Sequence, residues 1–103
     1  MGCEGESFAN FHDATLSRMC FDWENGILSI DAHVFLNGLK ENAKSVSLVW
    51  TGVRQMTVSH KFPWGKSQSI NTFRCDNGFK YYIEMQSGDM IEIEAESFQI
   101  HHK

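Results

Sequence analysis

Five acidic side chains near the C-terminus are the residues whose type and spacing most clearly invite chemistry: Glu84, Asp89, Glu92, Glu94 and Glu96. Alternate residues of an extended chain point to one side. Glu92, Glu94 and Glu96 therefore make a comb of carboxylates, with Glu84 on the preceding segment and Asp89 in the turn between them. Two uses fit such a comb: a solvated face that keeps a sheet soluble, or a phosphate-like array that docks on the Lys/Arg/His cleft of a cationic protein. Trp64 joins the candidates from Phe62-Pro63-Trp64-Gly65, where Pro fixes φ and Gly frees it. Its ring is either an anchor for the loop or a presented contact.

Other constellations fall short of a site. His12-Asp13 has the look of a metal-dependent phosphohydrolase pair, but His33, His60, His101 and His102 lack ligand spacing, so a turn- or helix-capping role is expected. Gly65-Lys66-Ser67 mimics the end of a phosphate-binding loop. That motif needs a Gly where His60 stands and a helix where Ser67–Phe73 reads as strand. The Gly-x-Ser-x-Gly elbow of serine hydrolases and the usual zinc spacings are missing. The chain is thus expected to be no enzyme, with no cofactor and no metal site.

The elements that must position these residues read as strands. Three Asn-Gly pairs (Asn25-Gly26, Asn37-Gly38, Asn77-Gly78) and Ser87-Gly88-Asp89 supply the positive φ that tight turns need. Between them, strands are predicted at about 15–24, 27–36, 45–53, 55–62, 69–75, 79–86 and 90–101. Short helical turns fit 7–14 and 40–44. Trp23 and Trp50 fall in strand patterns and are expected in the core. The C-terminal hairpin is the most strongly patterned segment: Tyr81, Ile83 and Met85 face one way with Ile91, Ile93 and Ala95, and the acids face the other. A three-residue loop would pair Gln86 with Met90, Ile83 with Ile93, and Glu84 with Glu92. The apolar phase then slips to Phe98 and Ile100, which predicts a β-bulge near Glu96–Ser97 and a bend.

The 103 residues are one domain's worth of chain, and 42% hydrophobic residues with a single Pro exclude a disordered or low-complexity class. The expected fold is all-β, an antiparallel β-sandwich or a strongly bent, partly closed sheet of about seven to eight strands, spanning 1–103 as a single domain. Thirteen acids against nine bases leave a formal charge of -4, which argues against direct binding to nucleic acid or to an anionic membrane. Charge is also segregated, since residues 40–74 carry six bases and one acid while 1–39 and 75–103 carry six acids each. Cys3, Cys20 and Cys75 form no C-x-x-C pair and are expected as free thiols in a reducing compartment. Neither a signal peptide nor a membrane span is expected, and Glu6 breaks the myristoylation pattern that Met-Gly-Cys begins.

Phe11-His12-Asp13-Ala14, Phe21-Asp22-Trp23, Pro63-Trp64-Gly65 with Ser67, Ser69 and Asn71, and Glu84-Met85-Gln86-Ser87-Gly88-Asp89 together resemble a family of small bacterial β proteins. Within that family and its neighbours, the resemblance is to immunity proteins of contact-dependent growth inhibition, antidotes to a toxin domain delivered by a neighbouring cell. It implies a cytoplasmic, non-catalytic protein that binds a cognate toxin domain tightly. The expected partner is a basic, RNA- or DNA-cleaving domain whose active cleft is blocked by occupancy and charge mimicry. The expected interface comprises Glu84, Asp89, Glu92, Glu94 and Glu96 with Trp64. The alternative expectation is a small-molecule or carbohydrate-binding β module in which Trp64, Tyr82 and Phe35 stack on a ligand.

Overall fold

The computed structural model describes residues 11–35 and 43–102. The expected helical turns at 7–14 and 40–44 fall largely outside that range. Of them, only a tight turn closed by the Ala14 N–H on the Phe11 carbonyl (3.0 Å) and the start of a strand are described. No helix of the described residues is long and apolar enough to cross a membrane.

The described chain is all-β, with eight strands in two antiparallel sheets: β1 (Thr15–Asp22), β2 (Ile27–Phe35), β3 (Ala43–Thr51), β4 (Gln55–Val58), β5 (Ile70–Asp76), β6 (Lys80–Met85), β7 (Met90–Glu94) and β8 (Ser97–His102). One sheet runs β1-β2-β3-β8 and the other β4-β7-β6-β5. Alternating apolar residues dictate what is buried between them. Leu28, Ile30, Ala32 and Val34 of β2 and Val46, Leu48 and Trp50 of β3 meet Tyr81, Ile83 and Met85 of β6 and Ile91 and Ile93 of β7. At one end Trp50 packs among Phe73, Tyr81 and Phe98, with ring centroids 6.3, 5.9 and 4.8 Å from its own.

Two bulges repair the phase of strands that would otherwise turn apolar residues to solvent. The β1–β2 ladder slips between Leu16 and Arg18, so that Leu16, Met19 and Phe21 all reach the core despite their odd spacing. A second slip, between Ile70 and Thr72, does the same for Ile70 and Phe73.

Several expectations are corrected. The last predicted strand is two strands in different sheets: the chain leaves β7 after Glu94, turns through Ala95–Glu96 and enters β8 beside β3. The phase slip at Glu96–Ser97 is therefore a sheet crossing rather than a bulge within one ladder. The β6–β7 register differs by two residues from that predicted, pairing Lys80 with Glu94, Tyr82 with Glu92 and Glu84 with Met90. Its three-residue loop is Gln86-Ser87-Gly88, closed by the Met85 N–H on the Asp89 carbonyl (2.8 Å) and by Gly88 at φ 92. Trp23 is 87% exposed, because Asp22 ends β1 by accepting hydrogen bonds from the Asn25 backbone and side chain, leaving Trp23 in the turn. Trp50, as expected, is completely buried. Cys20 is a free, exposed thiol, but Cys75 is disulfide-bonded, so the expectation of free thiols fails there.

Candidate functional site

The second sheet displays its polar face in three cross-strand rows. Gln55, Glu94, Lys80 and Asp76 make one; Thr57, Glu92, Tyr82 and Arg74 make the next; Met90, Glu84 and Thr72 make the third. The sequence thus delivers Glu84, Glu92 and Glu94 to one face, with β7 central rather than at the edge. The acids differ in what they touch. Glu84 accepts hydrogen bonds from Asn71 Nδ2 (3.3 Å) and Thr72 Oγ1 (3.2 Å). Arg74 pairs with Asp76 (3.1 Å) and lays its guanidinium 4.3 Å from the centre of the Tyr82 ring. No nitrogen of a described Lys, Arg or His lies within ion-pair distance of Glu92 or Glu94. Those two carboxylates flank a shallow depression of about 90 Å³ that Gln55, Thr57, Lys80 and Tyr82 complete.

Two of the expected interface residues belong elsewhere. Glu96 lies beyond the end of β7, where its carboxylate faces Arg54 at 3.4 Å and its backbone N–H is bound by the Thr51 and Gly52 carbonyls. Asp89 is only 3% exposed and cannot dock on anything. Its Oδ1 accepts from the Lys61 N–H (2.7 Å) and Ser59 Oγ (3.1 Å), and its Oδ2 from the Phe62 N–H (3.0 Å) and Ser87 Oγ (2.7 Å). Donors of this kind hold the carboxyl well below its usual range, at about 2, the Lys61 N–H contributing most and burial opposing it. Asp89 therefore clamps the β6–β7 turn to the connection between β4 and β5, and ends β4 at Val58 where a strand to 62 was predicted.

The clamp also positions Trp64. Phe62 sits at φ 51, a left-handed conformation that a bulky residue before Pro adopts only when held there. Pro63 and Trp64 then fold over the hairpin tip, the Trp64 N–H donating to the Ser87 carbonyl (2.9 Å). The indole is 72% exposed, so it is anchored through its backbone and presented through its ring. The expected aromatic trio does not form a platform: Arg74 covers Tyr82, and the side chain of Phe35 lies outside the described residues. His12 and Asp13 are structural in their contacts, His12 Nδ1 bonding the Asn71 carbonyl (2.7 Å) and Asp13 accepting from Gln86.

Sequence inspection missed a second concavity. A groove of about 570 Å³ opens between β1 and the β4–β5 connection. Leu16, Met19 and Ile30 line it from the first sheet, Val58 from the end of β4 and Phe62 from the connection, with Met85 and Ile91 behind. The signal was present only as the odd spacing of Leu16 and Met19; the other walls come from segments distant in sequence.

No family model matches the chain, and neither a curated protein nor a solved structure matches it.

Proposed function

We propose that this chain is an immunity protein that neutralises a cognate toxin domain by stoichiometric binding, its second sheet covering the active cleft of an RNA- or DNA-cleaving partner. One observation carries the reading. Glu92 and Glu94 stand side by side on one sheet face, and neither is held in an ion pair by a cation of the described residues, Lys80 standing opposite Glu94 in the same row. A basic cleft offers both carboxylates the partners they lack, and complementary fields speed capture and select the partner. Glu84 and Tyr82 extend the same face, and Trp64 stands at its hairpin end. Asp89 and Glu96 are framework residues in this reading.

The reading puts the protein in the cytoplasm, where a delivered nuclease meets its substrate. The disulfide at Cys75 is the observation that weighs against a reducing compartment.

Co-expression with a basic toxin fragment encoded beside this chain tests the proposal. The expected result is a 1:1 complex and survival of the cells. Glu92→Lys/Glu94→Lys is expected to slow association at low salt by tenfold or more, with the loss shrinking as salt rises. Protection that survives this double reversal with an unchanged association rate would remove the face from the interface, and absence of any complex would remove the function.

A further inference from the structure

The groove between β1 and the β4–β5 connection is a built cavity remote from Glu92 and Glu94. We infer that it binds a free single-chain amphiphile, an acyl chain of roughly ten carbons or more bearing one carboxylate.

Its size falls within the range of about 300–1,000 Å³ that small-molecule sites occupy, at about 570 Å³. Its interior is apolar from both sheets: Leu16, Met19 and Ile30 against Met85 and Ile91, with Val58 and Phe62 on the third side. An acyl chain is the simplest occupant such walls accept, because it asks for no hydrogen bonds. The rim specifies the head. Arg18, His60 and Lys66 stand around it, and neither Arg18 nor Lys66 has a carboxylate within ion-pair distance among the described residues. Among the described residues Asp89 is the one acid that lines the groove, and its oxygens are taken up by Ser59, Lys61, Phe62 and Ser87. An anionic head therefore meets two cations that lack ion-pair partners among the described residues, while the Asp89 carboxylate is turned to its own donors. A cationic head meets repulsion.

The wall is also made in advance of any ligand. Phe62 is held at a strained φ by the Asp89 carboxylate, and His60 packs edge-on against its ring with centroids 4.3 Å apart. Strain of this kind persists where the surroundings over-determine it, and such places cluster at ligand sites.

Calorimetric titration of the full chain with octanoate, decanoate and dodecanoate below their micellar concentrations tests the inference, with dodecan-1-ol and dodecylamine as head-group controls. Saturable 1:1 binding is expected, tightening about fourfold for each added methylene until the groove is full. Dodecanoate should bind several-fold more tightly than the alcohol, and the amine weakest. Arg18→Gln/Lys66→Gln changes exposed residues and leaves the fold intact; it should erase the preference for carboxylate over alcohol while keeping the chain-length dependence. Met19→Trp, which narrows the groove, should weaken all ligands alike. Absence of saturable binding by dodecanoate overturns the inference. So does binding of dodecylamine as tight as that of dodecanoate, or a carboxylate preference that persists in the double variant. A dimer in sedimentation that Met19→Trp dissociates would assign the groove to a second copy of the chain and likewise overturn it. None of these outcomes depends on a toxin, so they fail or succeed apart from the proposed immunity function.

Discussion

At the scale of single residues, Asp89 is the carboxylate on which most depends. With its pKa lowered from 3.8 to about 2, the charged form is favoured by the fold. Its contribution is complete above about pH 4 and is lost as pH falls toward 2. Asp89→Asn keeps the shape but turns an amide N–H toward donors that need an acceptor. A lower urea midpoint at pH 7 is expected, together with a flatter stability profile between pH 4 and 2; an unchanged acid limb would show that the clamp is not the titrating group. Gly88 makes the adjoining contact from the other side. A Cβ there would meet Pro63 Cγ and the Trp64 ring at 2.8 Å, whereas Gly65, also at a positive φ (116), has open space around it. Gly88→Ala is expected to cost about 1–3 kcal/mol and more than Gly65→Ala, read from paired denaturation curves. The tryptophans divide as sharply. Trp50→Ala should cost about 3–5 kcal/mol, while Trp23→Ser, in its exposed turn, should stay within about 0.5 kcal/mol.

At the scale of elements, alternation made the two faces of β6 and β7 legible from sequence, but it could not fix which residues stand opposite. A slip of one residue would exchange core and solvent, whereas a slip of two exchanges nothing. Both registers bury Ile83, Ile91 and Ile93, so turn chemistry decides between them, and it favours the loop in which Gly88 takes the left-handed position and Asp89 turns inward. Asp89 resembles a docking acid in sequence for the same reason: its residue type is that of the comb, and the donors that claim it lie about 30 residues earlier. Trp23 lies in the turn rather than the core because the Asp22–Asn25 contacts that end β1 override a strand pattern that continues through it. The groove left almost no trace, since its walls come from β1, β2, the β4–β5 connection and the β6–β7 hairpin. Removing the bulge in β1 tests how that wall is made. Deleting Ser17 removes the extra residue and leaves Leu16 and Met19 two apart, on one face of a regular strand, so dodecanoate binding should survive; its loss would show that the bulge itself shapes the wall.

At the scale of the whole molecule, the charge segregation visible along the chain acquires a spatial meaning. The basic middle segment contributes His60 and Lys66 to the rim of the groove, and the acidic C-terminal segment contributes Glu92 and Glu94 to a sheet face. The two surfaces differ in both sign and polarity, so salt should weaken association at the acidic face while leaving acyl-chain burial almost untouched. The two passages between the sheets, Gly52–Arg54 and Ala95–Glu96, are fastened to each other. The Glu96 N–H reaches the Thr51 and Gly52 carbonyls, the Arg54 N–H reaches the Glu94 carbonyl (2.8 Å), Thr51 and Ser97 hydroxyls meet, and Arg54 faces Glu96. With both crossings laced at one corner, neither layer can open and leave its companion standing. Amide protons of Leu48 and Ile83, one from each layer, should accordingly exchange with deuterium through the same global event and show equal opening free energies.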